Sequence, residues 1–316
     1  MKKRLSLSIV IPTKDRHAML IRILNYLQKN TFFFNEVLII DSSTKNIFRE
    51  KEIKNNFKKL NIKYYNSKPS TSIQRNLGLK QINKKNKFIM FLDDDIEFYN
   101  NAFKIMHRFL ATISTNIVGV GFNSMTDKQY TKKISERIKN SDFFYRHKIY
   151  NSKPGVVAGS GWHTKILNIK KNTFVDWLPT QACIYKIKII KSMTFCNQLG
   201  KYAYLEDLIF SHEASKKGKL IINSKAKFKD NHHVGRNSFY FGILEIKNRI
   251  IFIKKNNIKI SNFLIAYIFF ITKNLFSTFY NIKNFMRFLG NIIGIFYLIA
   301  TINIKELGNF KIKIFR

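Results

Sequence analysis

The stretch KFIMFLDDDIEF, residues 87–98, decides the fold. Five large apolar side chains, Phe88 to Leu92, run without a polar break and stop at three consecutive carboxylates, Asp93, Asp94 and Asp95. An apolar run of this length, bounded by charge, reads as a strand buried on both faces. Three earlier segments have the same character: SLSIVIP (6–12), EVLIID (36–41) and NIKYYN (61–66). Between them lie helical patterns, AMLIRILNYLQ (18–28) and SIQRNLGLKQI (72–82). Buried strands alternating with helices predict an α/β fold, with a Rossmann-like, mainly parallel sheet flanked by helices. Such folds bind ligands beyond the carboxyl ends of their strands. Asp15, Asp41 and the triplet 93–95 all fall at such ends.

Three adjacent carboxylates repel one another unless cations or hydrogen-bond donors offset them. Mg²⁺ and Mn²⁺ take oxygen ligands, and Mg²⁺ is typically held by one or two carboxylates together with substrate phosphates. Asp93 and Asp95, two apart, are placed to share such an ion. A solvated acidic turn capping a following helix fits the local residues as well.

Lys and Arg number 56 against 19 Asp and Glu, a formal net charge of +37. That balance points to a polyanionic partner: phosphorylated substrates, an anionic membrane surface or nucleic acid. Heavy use of Lys, Asn, Ile and Phe suggests that codon bias contributes part of it. Charge and aromatics permit a nucleic-acid-binding protein, but no recognition helix or stacking motif stands out, and no nucleic-acid partner is expected. No glycine-rich phosphate loop is present, which counts against dinucleotide and P-loop enzymes. Cys183 and Cys196 fit no metal or disulfide pattern and read as reduced thiols. The basic start MKKRLSLSIVIPTKDR reads as leading into a buried strand rather than as a signal peptide.

Taken in order, SIVIPTKDR (8–16), EVLIIDSS (36–43), SIQRNLGL (72–79), FIMFLDDDIEF (88–98) and YLEDLIFSHEASKKG (204–218) resemble the glycosyltransferase family 2 pattern on the GT-A fold. The resemblance covers roughly the first 235 residues. It implies an enzyme that moves a sugar from a nucleotide-sugar donor to a glycan or lipid-linked acceptor, with inversion and a divalent cation, Mg²⁺ or Mn²⁺; a catalytically silent relative that binds nucleotide sugars as a scaffold is the alternative. It also implies roles. Pro12, Thr13 and Asp15 would line the nucleotide pocket and Asp41 would read the base. Arg75 would approach the diphosphate, with Asn76 supporting its loop. Asp93 and Asp95 would fill the metal-binding DxD positions, and Asp94 would help bind the donor. Asp207 would be the catalytic base. Glu206 would bond the acceptor or raise its neighbour's pKa by repulsion. Trp177, in DWLPTQACIYK (176–186), would wall donor sugar and acceptor. Some GT-A enzymes complete the metal shell with a C-terminal histidine, which offers His233. Neighbouring side chains in a strand face opposite ways, so only one of His232 and His233 would reach; a polar surface loop is the other reading. Arg236 is a second candidate for the diphosphate. Without the upstream pattern, Glu206–Asp207 reads first as the acidic first turn of a helix; with it, the catalytic reading comes first. The glycines at 155, 159 and 161 read as a turn, or as a flap over the donor.

Three segments follow from this reading. Residues 1–120 form the nucleotide-sugar half and 121–235 the acceptor half. Residues 236–316 form a basic, aromatic, helical extension. Its apolar runs, NFLIAYIFFIT (262–272) and FLGNIIGIFYLIATINI (288–304), are shorter than the roughly 20 residues a spanning helix needs. They predict helices lying on an anionic membrane surface, with a helical pair packed on the catalytic domain as the alternative and a single marginal span at 288–304 as the third reading.

Overall fold

A computed structural model describes residues 5–44, 47–126, 141–200, 202–230, 237–276 and 282–301, with backbone only at 47–49 and 301. The chain forms two compact units, Met1–Lys128 with Lys165–His233, and Gln129–Thr164 with Val234–Arg316. His232, His233 and Arg236 lie outside the described residues.

The chain alternates β1 (Leu7–Thr13), α1 (His17–Gln28), β2 (Glu36–Asp41), α2 (Ile47–Asn56), β3 (Ile62–Asn66), α3 (Thr71–Gln81) and β4 (Phe88–Leu92). It continues with β5 (Ile96–Phe98), α4 (Ala102–Thr112), β6 (Ile117–Met125), α5 (Asp142–Arg146), β7 (Thr173–Val175), β8 (Ala182–Lys186), α6 (Ile187–Ile190), α7 (Glu206–Ser215) and β9 (Lys219–Asp230). Three helices complete it: α8 (Ser238–Lys255), α9 (Ile260–Phe276) and α10 (Ile282–Thr301).

The strands of the first unit form one sheet in the order β3-β2-β1-β4-β8-β6-β9-β5, with β7 beside β9. Strands β3, β2, β1 and β4 run parallel, β8 turns against them, and β6 and β9 resume the first direction. This is the mixed, mainly parallel sheet the apolar runs predict. Every residue of β1, β2 and β4 is buried, as strands with both faces covered require.

One detail of register sets the site. β1 pairs with β2 as far as Thr13↔Asp41, but with β4 only as far as Val10↔Phe91. Pro12, which has no N–H to give, therefore falls beyond the β4 ladder. After β1 the chain winds outward to β2 and β3; after β3 it crosses to β4 on the other side. The β1–β4 gap is thus the topological switch point, where open α/β sheets take ligands. Helix α3 lies close above it. A Cβ at Gly78 would come within 2.3 Å of Val10 Cγ1, so glycine lets α3 approach β1.

In the second unit, helices α8 and α10 pack backbone to backbone. A Cβ at Gly242 would lie 2.4 Å from the Arg287 carbonyl oxygen, and one at Gly290 only 2.0 Å from that of Phe239. The interior there is polar as well as apolar. Asn291 Nδ2 donates to the Gly242 carbonyl (2.9 Å) and its Oδ1 accepts from Asn274 (2.8 Å). Tyr267 donates to the Asn291 carbonyl (2.5 Å), and Arg287 grips Glu245 at 2.7 and 3.1 Å. Gly290→Ala is expected to force the two helices apart and cost about 1–3 kcal/mol, read as a lower Tm. An unchanged Tm would show that the helices have room to spare.

Segment 141–164 belongs to this same unit. Phe144 packs edge-on against Phe269, and Trp162 stacks on Phe270 at 3.8 Å between ring centroids. The Arg249 guanidinium covers Trp162 at 4.0 Å and donates to the Gly161 carbonyl at 2.6 Å. The glycines at 155 and 161 have φ of 72° and 80°, and Val157 bridges His163 across a tight turn. The stretch thus forms a turn within this unit. Ile282–Ala300 is, among the described residues, the one helix long and apolar enough to cross a membrane, and α9 is a shorter apolar helix. Ile268, Phe276, Ile282, Phe296 and Ile299 stand exposed.

Candidate active site

The acidic triplet follows β4 directly, at the switch point. Its backbone is pinned by Asp93 N–H donating to the Gln181 carbonyl (2.9 Å). Two arginines offset its charge. Arg75, one turn before Gly78 on α3, is 2% exposed. Its Nη2 donates to Asp93 Oδ1 at 2.6 Å, and its Nη1 makes a very short bond to Glu206. The second oxygen of Glu206 accepts from Ser72 at 2.9 Å. Beneath the guanidinium lies an aromatic floor: Phe195 faces it at 5.9 Å and itself stacks on Phe210 at 4.0 Å. Arg16, in the loop between β1 and α1, bonds Asp95 at 2.8 Å and Asp94 at 3.2 Å. The Thr13 hydroxyl gives Asp94 a further bond of 2.6 Å.

The ends of β1 and β2 are tied into the same edge. Gln74 Nε2 donates to the Thr13 and Ile40 carbonyls at 2.8 and 2.7 Å. Asp41 accepts from the Ser43 hydroxyl at 2.5 Å, the Ser43 amide at 2.8 Å and the Tyr64 hydroxyl. Ser43 in turn accepts from the Asp15 amide at 2.6 Å. Two non-glycine residues in the left-handed region flank the candidates: Asp15 itself (φ 53°) and Leu205 (φ 72°), directly before Glu206. A leucine in that conformation is costly, and such outliers gather at functional sites.

The electrostatics are those of a cluster short of positive charge. Asp93, Asp94, Asp95, Glu206 and Asp207 face two guanidinium groups, Arg16 and Arg75. Burial pushes the Asp207 carboxyl up to about 6, and the neighbouring Glu206 pushes in the same direction. Burial also raises Asp93, against the pull of Arg75 and with the repulsion of Asp95 and Asp94. Asp94 is raised by burial too, although Thr13 and Arg16 oppose it. Burial alone would lower Arg75, but Glu206 and Asp93 more than offset it and hold its charge fixed.

Several residues thus converge as the sequence reading expects. Thr13, Arg75, Asp93, Asp94, Asp95, Glu206 and Asp207 stand in one cluster; Pro12, Asp15 and Asp41 line the adjoining strand ends. Three placements differ from the implied roles. Arg75 reaches two carboxylates from inside the protein, where a diphosphate contact needs an outward-facing group. Glu206 has its oxygens taken by Arg75 and Ser72, so of its two implied roles the acceptor bond is the one that differs, while, together with burial, its charge does raise the Asp207 carboxyl. Trp177, two residues past β7, is 7% exposed and leaves little of its ring for a sugar. Asn76 differs as well: it and Arg75 lie on helix α3 rather than in a loop, and it ties down the segment at Phe195, accepting from the Phe195 amide (2.7 Å) and donating to the Phe195 carbonyl (2.9 Å).

Among the described residues, no group of three or more His, Cys, Asp and Glu is disposed to hold a metal by itself. Mg²⁺ or Mn²⁺ needs fewer here, since one or two carboxylates suffice when phosphates complete the shell. Asp93 and Asp95 supply two hard oxygen donors, in a cluster with more carboxylates than cations. The residues fit a divalent ion.

The family model for glycosyl transferase family 2 matches residues 8–170, just over half of the chain and the whole β1–β4 switch-point region. The chain is a family 2 glycosyltransferase. It therefore transfers sugar from a nucleotide-sugar donor. The family 2 enzyme also has GT-A-like solved neighbours. TarS 1–349 of S. aureus superposes with a TM-score of 0.52 at 19% identity, covering 86% of this chain and 74% of that one. A mannosyltransferase from Pyrobaculum calidifontis, solved with GDP-Man and Mn²⁺, gives 0.53 at 11% identity, covering 97% and 79%. GalNAc-T7, solved with UDP, GalNAc and Mn²⁺, gives 0.58 at 12% identity, covering 80% and 48%. At these identities the likeness is one of fold. No curated protein matches the chain.

Proposed function

We propose that this family 2 enzyme is an inverting, metal-dependent transferase with Asp207 as its base. The observation that carries the reading is the Asp207 carboxyl, raised to about 6 beside the Glu206–Arg75–Asp93 chain at the switch point. A base is most effective when its pKa lies near the working pH. Asp207 would take the acceptor hydroxyl's proton as the new glycosidic bond forms. The bond from the anomeric carbon to the diphosphate would break in the same displacement, giving inversion. Asp93 and Asp95 would hold the divalent cation, which when bound stabilises the charge of the leaving diphosphate. The Mn²⁺ in two of the fold neighbours agrees with this choice of ion. Thr13, Asp15 and Asp41 would border the nucleotide.

Hydrolysis of a panel of UDP-, GDP- and dTDP-sugars, with Mn²⁺ and then with EDTA, tests the reading. One donor should turn over only with the ion. Asp95→Ala should weaken Mn²⁺-dependent donor binding at least about tenfold. Equal turnover in EDTA would remove the metal.

The acceptor side rests on the second unit. Its exposed apolar side chains on α9 and α10, together with Lys273 and Lys283, suit the surface of an anionic bilayer. The enzyme would then work at the cytoplasmic face on a glycan or lipid-linked acceptor, in cell-surface polysaccharide synthesis. Fractionation without detergent at low salt checks this: the full-length protein should pellet with membranes, and recovery in the supernatant would refute it.

A further inference from the structure

The two arginines of the acidic cluster are built differently. Arg75 is buried to 2%, holds Asp93 and Glu206 with separate amines, and rests on the Phe195 ring. Withdrawing it would strand two carboxylates in the protein. Arg16 comes from the other side. Its side chain is 31% exposed, whereas those of Asp94 and Asp95 are 3% and 7% exposed. It is the N-cap residue of α1, where its carbonyl accepts from the Leu20 amide at 3.0 Å but its side chain makes no cap bond. Its Nη1 alone serves both carboxylates, at 3.2 and 2.8 Å. A single cationic nitrogen is therefore placed between two carboxylates, one of them a ligand of the proposed divalent ion.

We propose that Arg16 is a displaceable placeholder for the divalent cation: it holds Asp94 and Asp95 together in the unloaded enzyme and gives up its bond to Asp95 when the ion arrives with the donor. The inference rests on the metal-dependent reading above. Arg16 can leave at little cost because its outer side already faces water, so the released charge is solvated or taken by the donor's phosphates. Asp94 remains held by Thr13 during the exchange. The arrangement lowers affinity for the bare ion while keeping the carboxylates ordered. Charge-assisted bonds of this kind are worth enough to set that affinity by a factor of ten or so.

The test is Mn²⁺ binding to the donor-free protein, by electron paramagnetic resonance or calorimetry, for wild type, Arg16→Gln, Arg16→Lys and Asp95→Asn. The Tm of each serves as a folding control. Arg16→Gln should bind Mn²⁺ about tenfold more tightly than wild type, Arg16→Lys should fall close to wild type, and Asp95→Asn should bind more weakly than both. Equal or weaker Mn²⁺ binding by a folded Arg16→Gln, with Asp95→Asn still weakened, would overturn the placeholder role and leave the metal reading standing. Absence of saturable Mn²⁺ binding in all four, even with UDP added, would overturn both.

Discussion

Asp207→Asn is expected to lower turnover by about 10²–10⁴-fold, the range usual for loss of a positioned general base, and to leave donor affinity within about twofold. The amide keeps the size and the hydrogen bond from the Leu208 amide (2.8 Å), so folding is not the cause of the loss. The wild-type kcat/KM should rise with pH through an inflection near 6, because only the carboxylate accepts a proton and burial holds that carboxyl at about 6. Stability should run the other way. A carboxyl raised on folding contributes stability that is full below its ordinary pKa of 3.8 and is lost as pH climbs through about 6. Asp93 and Asp94 shift in the same direction. Asp207→Asn should therefore remove the inflection near 6 from the rate profile and make the stability profile shallower between about pH 4 and 6, with Asp93 and Asp94 keeping part of the slope. Turnover near wild type in this variant would remove Asp207 from the chemistry.

Arg75→Met should be the most destabilising change in the first unit. It removes the guanidinium that bonds both Asp93 and Glu206 and leaves Glu206 its bond from Ser72, and breaking a buried ion pair on one side costs about 3–5 kcal/mol. A fall in Tm on the order of 10 °C follows. Transfer should vanish in the folded fraction as well, since Asp93 and Glu206 lose their spacing. Arg75→Lys keeps the charge but cannot send separate amines to both partners, so it should recover only part of the stability. If Arg75→Met melts within about 1 °C of wild type, the strut is not holding the cluster.

Much of this was legible from residue patterns. The apolar runs at 6–12, 36–41 and 87–93 are β1, β2 and β4 to within a residue, because a strand covered on both faces is mostly apolar; 61–66 is β3, but as an edge strand it buries Tyr64 alone, so the full burial expected of it does not hold. The helix expected over 72–82 spans 71–81, and the helical, apolar character of α9 and α10 was evident, although both are longer than their apolar runs. The carboxylates were legible as a group because strand ends collect ligand-binding residues. Their partners were not. Arg16 is one of 56 basic residues, and nothing local separates it from Arg22 or Lys14. The Arg75–Glu206 bond joins positions 131 apart, and only the fold brings them together. Ser43, Ser72 and Gln74 lie inside the stretches that carry the resemblance, but nothing local names their partners, and Tyr64 is one tyrosine of the 61–66 run. That segment 141–164 shares a unit with the C-terminal helices was likewise not legible, because that pairing depends on rings meeting across more than 100 residues.

That last pairing decides how the protein can be shortened. A truncation after residue 236, an obvious way to discard the greasy tail for crystallisation, would delete Phe269, Phe270 and Arg249. Phe144, Trp162 and the Gly161 carbonyl, left behind in mid-chain, would lose the surfaces that cover them. The shortened polypeptide should be sticky and prone to proteolysis around residues 141–164. A soluble version is better sought by replacing the outward Ile268, Phe296 and Ile299 with polar residues, which leaves the inserted segment its seat.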